Sequence, residues 1–285
     1  MDNVVELFCF VDDFCQGFMP EWNRYLLETG LKRRHRASRL TSSEIITIFI
    51  LFHQLGFRHF KGFYLQYVKA HLLPYFPELV SYTRFVALLK SVLVPLCALM
   101  QSFSGKKTGL YFVDSMIIKA CHIKREKQHR VFKGLATKSK SSIGWFFGFK
   151  LHLVINHQGE IMAVKLTTAS VNDLQPVPQL TQSLTGKLFG DKGYISQPLF
   201  ESLFQKGLQL ITRLRKNMKN KLMLLTDKLL LYKRGIIESV NDQLKNISQI
   251  EHSRHRSVWN FAVNIVTALI AYCLKPNKPS LNLKF

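Results

Sequence analysis

Three acidic residues lie at positions where their carboxylates could bind a metal ion. Asp114 follows the apolar run Tyr111–Val113, and Asp191 follows Leu188–Gly190. Glu238 lies at the start of the last helical region. An acid that follows a buried strand is costly unless a cation meets it, and carboxylate oxygens are ligands that Mg²⁺ prefers. The pattern predicts a metal site formed by the three carboxylates.

Each carboxylate also has a structural explanation that the residues alone leave open. A single Asp after a strand is more often a turn or helix cap, and Lys192 could neutralise Asp191. Arg234 and Lys245 share the helical face of Glu238, which is also typical of an intrahelical ion pair of little energetic value. Acids are scarce in this region, however. Cations beside a carboxylate site suit the phosphates of a bound nucleic acid strand.

The charge balance points to a polyanionic partner. The 285 residues include 40 Lys+Arg against 18 Asp+Glu, for a formal net charge of +22. The charge is concentrated after residue 100, and the segment Ser102–Thr108 has the composition of a linker. We therefore expect a helical domain over 1–104 and a second domain over 105–285. Dispersed Lys and Arg favour nucleic acid as the partner, and no protein partner is inferred.

Other features argue against membrane, export and disulfide classes. The apolar run Ile45–Phe52 is too short to span a bilayer, and the N-terminus lacks the basic start of a signal peptide. The five cysteines are odd in number and contain no CxxC pair. We expect a cytoplasmic protein with reduced thiols and no membrane partner.

Hydrophobic periodicity predicts different structures in the two domains. In the first domain, helical spacing dominates, and Thr41 with Glu44 predicts a capping box before Ile45. A basic cluster precedes that helix and suits either DNA-end binding or a solvated turn, and dimerisation is a further role for this domain. The cluster comprises Lys32, Arg33, Arg34, His35, Arg36 and Arg39.

The second domain is predicted to be a mixed sheet flanked by helices, with its site at strand ends. The predicted strands are Leu110–Val113, Phe146–Ile155, Ile161–Leu166, Lys187–Gly190 and Leu208–Leu214. The predicted helices are Val171–Leu184, Pro198–Gln205 and Ile236–Leu274, the last of them broken near His252–Arg256.

Two further groups of basic residues are candidates for DNA contact. The first we interpret as a DNA-contacting loop, although a solvated insertion remains open. It contains Lys119, Lys124, Arg125, Lys127, Arg130, Lys133, Lys138 and Lys140. The second comprises His252, Arg254, His255 and Arg256. A zinc site at Cys121, His122 and His129 is disfavoured because no fourth ligand is apparent.

Two tryptophans could stack on an unpaired base. For Trp145 the choice between stacking and a place in the core stays open, whereas Trp259 is expected in the core.

The residues resemble a known family at three motifs. They are Val113-Asp114-Ser115, Gly190-Asp191-Lys192-Gly193-Tyr194 and Arg234-x3-Glu238-x6-Lys245. All three resemble the DDE transposases of bacterial insertion sequences. The resemblance runs from about Leu110 to the C-terminus and includes Gly144–Ile155 and Glu251–Ser257. The family often has a Tyr three residues before the Arg, where this chain has Leu231 followed by Tyr232.

The resemblance implies a fold and a reaction. The fold would be a ribonuclease-H-like catalytic domain in which Asp114, Asp191 and Glu238 form the catalytic, metal-binding triad. Two Mg²⁺ ions, replaceable by Mn²⁺, would activate water or the freed 3′-hydroxyl and stabilise the leaving oxygen. The partners would be terminal inverted repeats and target DNA, in the nucleoid of a bacterial cytoplasm. Pairing of two element ends implies a dimer or larger assembly.

Two other functions remain compatible with these residues. A DNA-binding protein descended from a transposase would keep the charge without using the triad. A metal-dependent nuclease would use the same carboxylates for hydrolysis alone. Strand transfer distinguishes the nuclease, and the effect of replacing an acid on cleavage distinguishes the binding protein.

Overall fold

The chain forms two compact units. The computed structural model describes residues 4–31, 38–141, 144–214, 218, 222–251, 255–281 and 283. The first unit comprises Met1–Phe103 and Leu244–Pro276, and the second comprises Ser104–Gln243 and Asn277–Phe285. The division expected from the sequence kept 244–276 in its second domain, and that assignment of domains stays a prediction.

The helices and strands follow one another along the chain as follows. The helices are α1 (Val4–Glu28), α2 (Ser42–Gln54), α3 (Phe60–Gly62), α4 (Lys69–His71), α5 (Tyr82–Leu88), α6 (Leu93–Ser102), α7 (Val177–Leu180), α8 (Gln197–Phe204), α9 (Leu225–Tyr232), α10 (Gly235–Asp242) and α11 (Val258–Cys273). The strands are β1 (Leu110–Cys121), β2 (Thr137–Ser141), β3 (Gly144–Asn156), β4 (Ile161–Thr168), β5 (Gly186–Gly190) and β6 (Leu208–Thr212). Short 3₁₀ turns span Leu89–Val92, Ile123–Gln128 and Lys192–Tyr194, and π-helical turns span Phe63–Val68 and Gln243–Ile247.

The first unit is helical and is built around α2, which is buried along most of its length. The predicted capping box is confirmed: the Glu44 amide donates to Thr41 Oγ1 (3.2 Å), and the Thr41 amide donates to Glu44 Oε2 (2.6 Å). Helix α11 packs against α2 and α6 and contributes Val263 and Ile270 to the same apolar core. The basic cluster at 32–36 lies outside the described residues, and Arg39 pairs with Glu78 at 3.0 Å.

In the described part of the chain, the helical run Tyr82–Ser102 is long and apolar enough to cross a membrane, by length and composition only. Its mean hydropathy is 1.8. Phe85, Leu89 and Leu96 from this run lie in the apolar core of the helical unit. That core accounts for the apolar composition of the run.

The second unit contains a six-stranded mixed sheet. Strand β1 pairs with β3 antiparallel and with β5 parallel, and β6 pairs parallel with β5. Strands β2 and β4 both pair antiparallel with β3, at successive stretches of its length. The order β4-β3-β1-β5-β6, with the first three strands antiparallel and the last two parallel to β1, is that of a ribonuclease-H-like fold. The predicted fold class is confirmed.

Three predicted elements differ from the structure. Strand β1 does not end at Val113 but continues to Cys121, because its second half pairs with β3 down to Phe147. The helix predicted over Val171–Leu184 is reduced to α7, because the preceding residues form turns in which the Asn172 side chain accepts from the Leu174 amide (3.0 Å). The segment 119–140, interpreted as a loop, contains the end of β1, a 3₁₀ turn and part of β2.

Candidate active site

Strands β1 and β5 bring two of the three candidate carboxylates to the same level of the sheet. Their parallel pairing ends at Phe112 and Phe189. Asp114 and Asp191 each follow that last pair by two residues, so the register places them at equivalent positions. Asp114 is therefore not at the end of its strand, as the sequence suggested, but at the end of the β1–β5 pairing. The two carboxylates lie at the same edge because β5 ends at Gly190, whereas β1 continues.

Helix α10 supplies the third carboxylate. It packs against β1, and Asn241 Nδ2 donates a hydrogen bond to Asp114 Oδ2 (3.1 Å). Glu238 precedes Asn241 by three residues and so lies on the same helical face. The contact between Asn241 and Asp114 thus directs the face that carries Glu238 toward the strand.

The pKa of Asp114 depends on its burial and on the charges around it. Burial, the largest cause, and the charges of Asp191 and Glu238 act together to raise this pKa to about 6. The Ser115 amide and the Arg234 guanidinium act in the opposite direction. A carboxylate that is desolvated and close to two others is poorly stabilised as an anion unless a cation binds. Such a group of acids favours cation binding in this strongly basic chain.

Arg234 is the guanidinium that partly offsets this negative charge. Its Nη2 donates to Glu238 Oε1 at 2.6 Å, and its side chain is 16% exposed whereas that of Glu238 is 61% exposed. The arrangement is the i,i+4 ion pair that the spacing suggested. The positive charge of Arg234 also lowers the pKa of Asp114. Arg234 therefore stabilises the anionic form of two of the three carboxylates.

The residues present fit a divalent cation by their chemistry. Asp114, Asp191 and Glu238 offer only oxygen atoms, which are the ligands of Mg²⁺ and similar hard cations. In the described part of the chain, no three Asp, Glu, His or Cys side chains stand close enough to hold a metal as they are placed. Glu238 is exposed and paired with Arg234, so its side chain has to turn from that partner to become a ligand.

The turn after β5 shows why Asp191 is flanked by glycines. The Gly193 amide donates to Asp191 Oδ1 at 2.7 Å, and a Cβ on Gly193 would meet that oxygen at 2.9 Å. A Cβ on Gly190 would lie 3.0 Å from Cβ of Tyr194 and 3.1 Å from its ring. The two glycines therefore let the chain close tightly around Asp191. Lys192, in the same turn, is exposed.

Helix α9 explains the departure from the family pattern before Arg234. Leu231 is buried, with 4% of its surface exposed, and Tyr232 is 81% exposed. Leu231 is therefore a core residue of this unit, whereas the aromatic ring next to it faces solvent.

The other candidate DNA contacts are distributed over both units. In the second unit, Lys124, Arg125 and Lys127 lie on the 3₁₀ turn after β1, and Arg130 and Lys133 follow it, all exposed. In the first unit, Lys245 is 3.9 Å from a Glu251 carboxylate oxygen, and Arg256 is exposed. Arg254 and His252 lie outside the described residues.

The residues considered for zinc have other roles. His122 Nδ1 accepts from the Lys124 amide (3.3 Å), and His129 Nδ1 accepts from the Phe132 amide (3.4 Å). Both imidazoles therefore cap turns of the basic segment.

Sequence reasoning missed Asn241 and assigned no role to Ser115 or Tyr194. Asn241 could have been found from its position three residues after Glu238, on the face directed toward Asp114. The proximity of Ser115 and Tyr194 depends on the pairing of β1 with β5, which local patterns do not specify.

Residues 104–258, more than half of the chain, match the family described as the transposase DDE domain. The chain belongs to the DDE transposases. It is thus an enzyme of the class that cleaves and joins DNA strands, and this class depends on divalent metal ions.

One solved structure is also similar to this transposase. It is the piggyBac transposase in a cryo-EM synaptic complex with hairpin DNA, at 10% identity and a TM-score of 0.44, covering 89% of this chain and 72% of that chain. No curated protein matches the chain. The assignment to the family rests on the match of residues 104–258.

Proposed function

We propose that this transposase belongs to a bacterial insertion sequence and acts in the cytoplasm on nucleoid DNA. It cleaves at the terminal inverted repeats of its element and joins each freed 3′-hydroxyl to target DNA. The observation that carries the proposal is the matched register of Asp114 and Asp191 after the β1–β5 pairing, together with the Asn241–Asp114 hydrogen bond that holds α10, the helix of Glu238, against β1. The roles of these three residues as metal ligands and of the basic residues as DNA contacts are part of the proposal.

The chemistry divides between the cation and the protein. Two Mg²⁺ ions, for which Mn²⁺ can substitute, would supply activation of the attacking oxygen and stabilisation of the leaving oxygen. Asp114, Asp191 and Glu238 would hold these ions at the edge of the sheet. Arg234, released from Glu238, is then available to a phosphate oxygen, which a planar guanidinium binds well.

Replacing Glu238 with Gln tests the proposal at the carboxylate whose side chain has to turn away from Arg234 in order to bind the metal. We expect loss of Mg²⁺-dependent nicking of matched element ends, by about 10²-fold or more, because a neutral amide binds the cation far less well. Asp242→Asn is the matched control, since it removes the same charge from the same helix. Equal nicking by Glu238→Gln and the wild type would contradict the proposal and favour a DNA-binding protein with an idle triad.

Strand transfer separates a transposase from a nuclease that only hydrolyses. Precleaved ends with free 3′-hydroxyl groups, mixed with a plasmid and Mg²⁺, should give joined products on a gel. Cleavage of intact ends without any joined product would support the nuclease instead.

The basic residues are proposed to hold the phosphates of inverted repeats and target DNA. The contacts proposed are Lys124, Arg125, Lys127, Arg130, Lys133, Lys192, Arg234, Lys245, Arg254 and Arg256. The formal net charge of +22 supports this role because each neutralised phosphate releases a counterion. Binding two element ends together further implies a homodimer or larger assembly on DNA. The first unit is proposed to bind element ends or to dimerise.

Trp145 extends the proposed DNA surface to the hairpin of β2 and β3. The ring is 57% exposed, and the Lys138 ammonium lies 5.0 Å from its centroid. An exposed ring next to an ammonium group suits stacking on an unpaired base beside a phosphate. Trp259 is also exposed, at 50%, with Lys90 at 5.1 Å, so its expected place in the core is wrong.

The two tryptophans make a matched pair for a binding test. We expect Trp145→Ala to weaken binding of element ends that contain unpaired bases by about tenfold, because stacking on an aromatic ring contributes ~1–3 kcal/mol per base. Trp259→Ala removes a similarly exposed ring from the other unit. Fluorescence anisotropy with frayed and fully paired ends measures the effect, which should be smaller for paired ends. An equal loss for both tryptophans, or none for Trp145, would contradict the stacking role.

A further inference from the structure

The second half of helix α1 carries an apolar face that the core of its own unit does not cover. Within α1, which the structure describes in full, Cys15 is the last buried residue. Beyond it, Phe18, Trp22 and Tyr25 recur at spacings of four and three residues, so they lie on one side of the helix. Their rings stack on one another, with centroids 6.4 and 5.5 Å apart, and Tyr25 is half-exposed. A row of aromatic rings at the surface is typical of a protein interface.

The charge of α1 narrows the choice of partner. Helix α1 contains five of the protein's 18 Asp+Glu but only one of its 40 Lys+Arg, and that residue, Arg24, is paired with Glu21. Glu21 and Glu28 lie three residues after Phe18 and Tyr25, on the aromatic side of the helix. An acidic face repels the phosphates of DNA and of anionic lipids, and it also repels a second copy of itself. The face therefore fits a partner that is both apolar and basic.

Helix α9 in the second unit presents such a face. Leu225, Leu229 and Tyr232 recur at the same spacings of four and three residues, and each is more than half exposed. Lys228, three residues after Leu225, lies on this side of the helix and is exposed. The acid of α9, Asp227, is buried and pairs with a lysine of β5 at 2.6 Å, so it adds no negative charge to the exposed side. That side of α9 is therefore apolar and basic.

We propose that α1 of one copy of this transposase packs against α9 of a second copy, with the aromatic face against the leucine face. The two faces have the same spacing and opposite charge, since Glu21 directly precedes Trp22 in α1. In α9, Lys228 directly precedes Leu229 at the equivalent position. Because every copy carries both faces, a two-fold axis makes the contact twice in one dimer and doubles the apolar area that is buried. The inference rests on the proposed function, since it names the surface by which two subunits assemble on paired element ends.

Sedimentation of the whole chain, free and bound to paired element ends, tests the contact at both helices. We expect Tyr25→Asp and Leu229→Asp each to weaken self-association by about tenfold or more, because each places an unpaired carboxylate in an apolar interface. Glu28→Lys and Lys228→Glu should each weaken it by about tenfold, because each brings like charges together. The chain that carries both charge reversals should recover most of its self-association, since the two faces have then exchanged their charges. Recovery also shows that the reversed variants still fold.

Phe204→Asp is the matched control, because Phe204 is an exposed ring on α8, a different helix of the second unit. It should associate like the wild type. The inference is overturned by a wild type that stays monomeric under both conditions, by unchanged association in Tyr25→Asp or Leu229→Asp, or by no recovery in the doubly reversed chain. Weaker binding of a single element end by Leu229→Asp, with association unchanged, would assign α9 to DNA instead. Nicking of a single end separates the two claims: if Asp114→Asn nicks as well as the wild type, the proposed function fails whatever the sedimentation shows.

Discussion

Replacing Asp114 with Asn is expected to abolish metal-dependent DNA cleavage, with a loss of about 10³-fold or more. Asp114 is the innermost of the three acids, and an amide there cannot balance a divalent cation. Single-turnover nicking of a labelled element end measures the loss. Glu201→Gln is the control, because it removes an acid from α8 in the same unit, where the Glu201 side chain accepts a hydrogen bond from Gln197 Nε2 at 2.8 Å.

The same substitution should stabilise the metal-free protein. The pKa of Asp114 is raised to about 6 from an ordinary value of 3.8, so the folded state holds the proton more tightly than the unfolded chain. Stability therefore falls as pH rises from about 4 to about 6, and the deficit persists at neutral pH. Asn has no such titration, and at pH 7.5 its melting temperature should exceed that of the wild type by a few degrees.

Adding metal should reverse the order of the two melting temperatures. The proposed Mg²⁺ would bind the folded site alone, so it should raise the melting temperature of the wild type and leave that of Asp114→Asn unchanged. A variant that is inactive, more stable without metal and insensitive to metal identifies Asp114 as a ligand. A variant that is inactive and less stable under both conditions would instead identify it as a structural residue.

The places of Asp191 and Glu238 in the fold could be predicted from the sequence because their signals are local. Asp191 follows a short apolar strand that ends where β5 ends, and Glu238 stands four residues from Arg234 on one helix. The capping box was predicted for the same reason, since it is specified by two residues three positions apart, Thr41 and Glu44. Within such distances, sequence spacing and spatial distance are nearly equivalent.

The features that the sequence did not reveal depend on long-range pairing. Polar residues after Val113 break the apolar run, so the continuation of β1 is visible only through its pairing with β3. Trp259 lies in an apolar stretch yet is half exposed, because the burial of a helical face depends on which helices pack against it. The contact between Asn241 and Asp114 joins residues 127 positions apart. None of these follows from local propensity.

Replacing Gly148 with Ala should strongly destabilise the protein. A Cβ at Gly148 would lie 2.2 Å from the Ile118 carbonyl oxygen and 2.9 Å from the Ala120 amide nitrogen. Both atoms are backbone, and the position lies where the register of β1 and β3 shifts between Lys119 and Cys121. Relief of the clash requires the strands to separate. We expect a loss of about 3 kcal/mol or more in the free energy of unfolding, at the upper end of overpacking effects.

Gly235→Ala provides the contrast in the same unit, because a Cβ there would meet nothing within 4 Å. That variant should be as stable as the wild type or more stable, since Ala favours the helix and restricts the unfolded chain. Urea denaturation followed by circular dichroism measures both variants. If Gly148→Ala were as stable as Gly235→Ala, β1 would not follow its described path against β3 beyond Ile118. The basic turn Ile123–Gln128, which that path positions, would then have to lie elsewhere, whereas Asp114 would keep its place beside β5.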